Sequence, residues 1–369
     1  MIHQIEVRGF KRFDCEQFAF APLTVLAGLN GSGKTSLLQS ILIAYEASTS
    51  NSSSLRLNGP FGLQLGTAED VLNWHSKPPI ELSMDSHKPE RATWRFEVPS
   101  DDALYLHIES RPDSAPIAFS QKARTFTYLS AERFGPRSFL GTLPVPDDEL
   151  EIGVQGEHCA HVLSVLGNKV IEKPDRSHPS RKHTKPTLLK YEVEQWLSEI
   201  ACPVEITAER YPGSSVTELR FKAPGAQAVR APNMGFGISY ALPVVLGGLL
   251  ARSGGLFVVE NPEAHLHPSG QSRIGAFLAW LAGRGVQVLL ETHSDHVVNG
   301  IRLAIAEHRF LTADSGLVHF FGPTESKDDS PQAVKLTFND AGSVSHWPHG
   351  FFDQYQIDVA SLGRIRRQQ

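Results

Sequence analysis

"GLNGSGKT", residues 28–35, follows an apolar run, "PLTVLA" at 22–27, and leads into a segment whose apolar residues recur at helical spacing from Leu37 onward. The stretch satisfies G-x-x-x-x-G-K-[S/T] between a predicted strand and a predicted helix, the context in which that pattern binds phosphate. Its glycines let successive backbone N–H groups curl around one anion, and the start of the helix adds its dipole. Asn30, Gly31, Ser32, Gly33 and Ser36 form the cradle, Lys34 brings a point charge to the β and γ phosphates, and the Thr35 hydroxyl suits Mg²⁺. The reading is an α/β fold with ATP and Mg²⁺ as cofactors.

The rest of the 369 residues fits a globular protein. Apolar residues make up 41% and charged residues 20%, enough for a full core. A formal charge of −5 excludes a globally basic nucleic-acid binder but leaves room for a local basic face. Three widely spaced cysteines, Cys15, Cys159 and Cys202, form no CxxC pair, which suits a reducing cytoplasm and argues against a disulfide framework or zinc cluster. The first residues alternate like a strand and lack the apolar core of a signal peptide. The longest greasy run, "ALPVVLGGLLA" at 241–251, is shorter than the ~20 residues that span a bilayer. These features predict a soluble, cytoplasmic protein with no membrane segment.

Along the chain, "IHQIEVRGF" and "FAPLTVLAG" read as two strands before the glycine loop. Alternating segments from about 55 to 130 ("IELSMD", "TWRFEV", "ALYLHIE", "AFSQKARTFTYLS") predict antiparallel strands. Residues 156–201 look helical at both ends, with a polar loop between, and two further strands follow. From "GFGISYALPVVLGGLLA" onward the order is helix, strand, helix, strand, helix. Its apolar strands do not alternate, as in a buried parallel sheet. The glycine loop's strand belongs to that sheet, so the nucleotide-binding half is split around a long insertion.

"LFVVE" at 256–260 ends in Glu260, an oxygen ligand placed for Mg²⁺. Asn261 follows, in the slot where an ATPase strand ordinarily carries the carboxylate that activates water. An amide can orient water but cannot take its proton at neutral pH, and Glu263 is the nearest carboxylate able to substitute. "VQVLLETHSDH" at 286–296 puts His293 at the C-terminal, ligand-facing end of another apolar strand. "NMGFGISYALPVV" at 233–245 opens a helix with Gly235, Gly237 and Ser239, either an ordinary glycine turn capping a core helix or a helix start that takes a phosphate. His265 and His267, two apart, read as loop packing rather than zinc ligands. The loop 168–190 carries seven Lys/Arg against Glu172 and Asp175, either a contact for nucleic-acid phosphates or a solvated insertion.

The order of these motifs resembles the ATP-binding cassette type of ATPase, in the RecF/SMC/OLD-like branch of AAA-family ATPases. "ENPEAHLHPSGQ", "ETHSDHVVNGIR", "YLSAERFGPR" and "GFFDQ" together resemble a bacterial subgroup of that branch with an uncharacterised C-terminal domain. The resemblance implies a P-loop head with a mixed or parallel core sheet, an antiparallel β subdomain and a helical insertion. The head would comprise 1–135 and 230–350, the insertion 136–229, and a C-terminal tail 351–369. It implies that Gly235, Gly237 and Ser239 cap the γ-phosphate bound to a second subunit, so that the ATP sites make a homodimer. It makes Glu263–His267 the D-loop, His293 the switch histidine, Arg12 a basic residue near the nucleotide, and Gln64 the Q-loop glutamine near the metal.

"MGFGIS" departs from the Ser-Gly-Gly-Gln core of transporters, and Asn261 departs from the usual catalytic acid. No coiled-coil arm, Toprim nuclease or membrane half is visible, so the work ATP drives passes to a partner. Two functions follow. One is an anti-phage defence ATPase acting with a separately encoded nuclease or toxin effector; the other is a RecF-like repair ATPase that binds DNA directly. A regulatory ATP-binding protein is a third.

Overall fold

The computed structural model describes residues 1–170, 176–180, 187–322, 333–348, 350–352 and 354–368. Its centre is a six-stranded sheet in the spatial order β16 (Ala333–Thr337), β15 (Gly316–Phe321), β3 (Leu23–Gly28), β14 (Gln287–Thr292), β13 (Leu256–Glu260) and β8 (Phe126–Leu129). All neighbours are parallel except β16, which runs antiparallel to β15 at one edge. The strands are apolar without alternation because both faces are covered. Phe257, Val259, Val288 and Leu290 pack into one core cluster, whereas Leu256, Val258 and Leu289 pack into another on the opposite face.

The second cluster lies against α1 (Lys34–Thr49) and an antiparallel sheet of order β2 (Phe13–Ala19), β1 (Ile2–Phe10), β5 (Ile80–Ser86), β6 (Arg91–Glu97), β7 (Tyr105–Ser110) and β4 (Ser54–Arg56); α2 (Ala68–Val71) is a single turn in the β4–β5 connection. The first cluster is covered by α5 (Phe236–Leu250), α6 (Pro268–Ala282) and α7 (Asp295–Ala306). It is extended by the segment between β8 and α5. There α3 (Cys159–Leu166) and α4 (Leu189–Ile200) pack with the small antiparallel sheet of β9 (Phe139–Gly141), β10 (Glu205–Arg210), β11 (Val216–Lys222) and β12 (Val229–Arg230). Apolar side chains of that segment, among them Trp196 and Phe221, share one core with α5 to α7. A last helix, α8, spans Gln354–Gln368. No helix among the described residues is long and apolar enough to cross a membrane.

One expected strand differs. "AFSQKARTFTYLS" reads as antiparallel, but only Phe126–Leu129 is extended, and β8 runs parallel to β13 at the edge of the central sheet. Phe126 and Tyr128 are buried as alternation places them, but Leu129 is buried as well, which the alternating pattern did not anticipate. Residues 171–175 and 181–186 of the basic loop 168–190 lie outside the described residues.

Helices α6 and α7 touch through glycine. A Cβ on Gly300 would run into the Ser272 carbonyl, and one on Gly275 into the Val297 carbonyl. Gly300→Ala is therefore expected to destabilise the fold by about 1–3 kcal/mol through overpacking. It should do so although alanine is the better helix former by about 1 kcal/mol. Urea denaturation reads the balance, and a stabilised variant contradicts the close contact.

Candidate nucleotide-binding site

In a strand, residues two apart share a face. Glu260 therefore lies on the face of Val258, and Glu291 on the face of Leu289, both packed toward α1. Parallel pairing sets Glu260 beside Glu291 and Thr292 beside Ala27. The C-terminal ends of β13, β14 and β3 thus meet at the start of α1, the edge where open α/β sheets bind ligands. A cavity of about 290 Å³ opens there, bordered by the loop 30–36, Ala131, Glu260, Asn261, Glu291 and His293.

The loop is held from below. Gly33, the N-cap of α1, has φ 112°, a conformation that favours glycine, and any side chain there would press on the Phe13 ring. Arg12 donates to the Gly31 carbonyl, tying the β1–β2 turn to the loop. Lys34 Nζ donates to the carbonyls of Gly28 (3.0 Å) and Leu29 (2.7 Å), so the ammonium lies over the loop. Burial lowers the Lys34 pKa, and Glu291 nearby opposes the shift.

Three acidic positions behave differently. Glu260 accepts from the Tyr128 hydroxyl at 2.9 Å and the Ala131 N–H at 3.1 Å, both at the end of β8. Glu291, 5% exposed, accepts from the Thr35 hydroxyl at 3.1 and 3.2 Å and lies 3.9 Å from Lys34 Nζ. Burial, then the charge of Glu260, pushes its pKa up to about 7, against the pull of Lys34 and Thr35. Glu263 turns away: its carboxylate accepts the His293 N–H at 2.9 Å and does not border the cavity, and burial raises its pKa.

Asn261 borders the cavity with φ 43°, a left-handed conformation that asparagine tolerates better than most residues. Its N–H donates to the Glu291 carbonyl at 2.8 Å, while its Oδ1 is buried without a hydrogen-bond partner. His293 is half-exposed, 3.9 Å from Glu291, and its pKa is lowered by burial and by Lys34, which favours a neutral ring.

The remaining expected residues lie outside the cavity. Gly235 caps α5 with φ 93° and Gly237 sits in its first turn, with Phe236 between them 55% exposed. Ser239 is 7% exposed, and its Oγ is buried without a partner, facing a small internal void beside Pro243 and Cys159. Gln64 is exposed and bridges Asn58, away from the loop. His265 packs on Tyr240 with ring centroids 4.4 Å apart, and the His267 ring accepts the Ser269 N–H to cap α6.

A family model described as "AAA domain, putative AbiEii toxin, Type IV TA system" matches residues 23–299. The chain belongs to this AAA family. A second model, a protein of unknown function (DUF3696), matches residues 311–362. Among solved structures, an SMC head bound to the C-winged helix domain of ScpA is 14% identical, with TM-score 0.52, over 92% of this chain and 98% of that one. The Smc head domain with an extended coiled coil, bound to the C-terminal domain of ScpA and derived from Pyrococcus furiosus, is 13% identical, with TM-score 0.54, over 99% of both chains. The comparison with functionally curated proteins found no match. This AAA protein therefore has the fold of an ABC-type ATPase head of the SMC/RecF kind.

The donor set of this AAA head fits MgATP. Loop N–H groups and Lys34 match phosphates, and the Thr35 hydroxyl with two carboxylates offers the hard oxygens Mg²⁺ takes. The sequence reading weighed only the histidine of "ETHS" and passed over Glu291, whose place beside Thr35 depends on sheet order. It also assigned no role to Arg133 in "YLSAERFGPR".

Arg133, 2% exposed, donates to the carbonyls of Ser130 (2.8 Å), Glu260 (2.7 Å) and Asn261 (2.6 Å), and its guanidinium lies 5.6 Å from the Tyr240 ring of α5. Burial lowers its pKa to about 10, which leaves it charged. Arg133→Ala strands those carbonyls, and unfilled buried acceptors cost about 1–3 kcal/mol each. Denaturant unfolding should show a loss in that range or above. Arg133→Lys should recover only part of it, because an ammonium lacks the planar fork.

Proposed function

We propose that this protein is a nucleotide-gated switch: it binds MgATP, hydrolyses it slowly, and passes the ATP state to a separately encoded effector in an anti-phage defence complex. The observation that carries the reading is the meeting of Lys34, Thr35, Glu260, Asn261 and Glu291 around one cavity, with an amide where a base is expected. Bound Mg²⁺ would neutralise charge on the β and γ phosphates. Lys34 anchors the same phosphates, and the Asn261 amide, which borders the cavity, can orient a water without taking its proton. A general base contributes about 10²–10⁴-fold, so its lack makes hydrolysis a timer rather than a motor.

The defence role is supported by the AbiEii description of the family model, and a protein partner by the SMC heads solved with ScpA domains. A nuclease or toxin is the effector class proposed for that partner. The split into head (1–135 and 230–350), insertion (136–229) and tail (351–369), and nucleic-acid contact through 168–190, belong to the same proposal on sequence grounds. ATP-linked homodimerisation is supported by the start of α5, which has no side-chain cap and does not border the chain's own cavity, as a site shared in trans needs. There the helix start, rather than the inward Ser239, would face the partner's phosphates, while His293 borders the chain's own cavity.

Three outcomes test the reading. Lys34→Ala should lose ATP binding in a fluorescent-nucleotide titration. Asn261→Asp keeps the side-chain shape and the tolerance of left-handed backbone while adding a carboxylate. It should speed single-turnover hydrolysis at least tenfold, within the range a base supplies; an unchanged or slower rate rejects Asn261 as the limiting feature. Phe236→Glu puts negative charge at the exposed helix start without the clash that a Cβ on Gly237 makes with the His265 carbonyl. ATP-dependent dimerisation, read by light scattering, should vanish in that variant. Running the hydrolysis assay with and without DNA separates the defence reading from a RecF-like one, which predicts strong DNA stimulation.

A further inference from the structure

We propose that Glu291, rather than Glu260, supplies the carboxylate that completes the Mg²⁺ site with Thr35; the inference rests on the MgATP reading above. Three observations on this chain point to it. The first is sheet order: β14 lies directly beside the loop-bearing strand β3, and β13 lies one strand further away, about 4.8 Å more. Glu291 therefore meets the first turn of α1 from the nearest strand.

The second is hydrogen bonding. Both Glu291 oxygens lie within 3.2 Å of the Thr35 hydroxyl, the one group that the loop motif commits to the metal. Both Glu260 oxygens are engaged on the opposite side, by the Tyr128 hydroxyl and the Ala131 N–H. Those donors hold Glu260 toward β8, as a wall of the cavity.

The third is charge. Glu291 is not needed to satisfy Lys34, which already donates to two carbonyls at 2.7 and 3.0 Å and sits 3.9 Å from the carboxylate. A buried carboxylate that, among the described residues, accepts a side-chain hydrogen bond from one hydroxyl alone, with a second carboxylate paired across the ladder, is costly without a cation. A divalent ion at Thr35 removes that cost. In this arrangement the strand that leads into His293, and not the acidic strand "LFVVE", carries the carboxylate that meets the ion.

The test uses the full chain and a fluorescent ATP analogue, titrated without metal and then with Mg²⁺. Wild type should bind weakly without metal and tightly with it. In Glu291→Gln the Mg²⁺ concentration for half-maximal tightening should rise about 10–100-fold, the usual loss when a metal-site group is removed. Metal-free affinity should stay equal or increase, because one negative charge near the phosphates is gone, and this also shows that the variant is folded. Glu260→Gln should shift the Mg²⁺ midpoint less. A wild-type midpoint in Glu291→Gln overturns the assignment, even if hydrolysis is lost, since the residue then acts on water instead. A larger shift in Glu260→Gln returns the metal to β13 and also overturns it. Loss of metal-free binding in Glu291→Gln means the carboxylate shapes the loop and likewise rejects the proposal. Wild type that binds no MgATP rejects the nucleotide reading itself, a result distinct from the other three.

Discussion

The parallel register of β3, β14 and β13 is the constraint on which the site depends. Side chains in a strand alternate faces, so a slip of one residue in any of the three would exchange its polar end for an apolar one. Leu289 and Val258 are buried on the α1 side, and that burial fixes Glu291 and Glu260 on the same side two residues later. The apolar core thus decides where the carboxylates stand. The helix start that carries Lys34 and Thr35 is pinned independently, by Phe13 under Gly33 and by Arg12 on the Gly31 carbonyl.

How far the sequence was legible follows from how local each feature is. The glycine loop is read from eight consecutive residues, because its geometry is made by its own backbone. Glu260 and Asn261 are read from the strand that ends in them. Glu291 is not, because its partner Thr35 is brought to it by pairing of strands far apart in sequence. The inward Ser239 had no signal either. Helix α5 is apolar on nearly all sides, so its pattern does not mark which face meets solvent. The parallel direction of β8 was hidden by a polar lead-in, and Arg133 by lying in a loop whose carbonyl partners come from another strand.

Arg133 joins two parts that the motifs describe separately. One guanidinium holds the two carbonyls at the end of β13 and lies over the Tyr240 ring of α5, the helix whose start carries the exposed Phe236. Tyr240 in turn packs on His265, within the stretch following Glu263. The cavity wall and the core helix α5 are therefore in continuous contact, although α5 contributes nothing to the cavity itself. Asn261 fits this view, since its left-handed backbone gives the chain the sharp turn that leads from β13 into that stretch.

The place of β3 within the sheet has a consequence for how the chain is made. Its two neighbours are β14 and β15, which come from residues 287–292 and 316–321. During synthesis the glycine-loop strand leaves the ribosome early and waits, with both hydrogen-bonding edges bare, until most of the chain has followed. Pairings of such sequence separation fold slowly, and open strand edges invite association with other chains. The antiparallel sheet and α1 can shelter one face of β3 in the interval, but not its edges. Early chain release or slow translation past the middle of the gene would leave an aggregation-prone product, and chaperone occupancy should be greatest before residue 321 emerges.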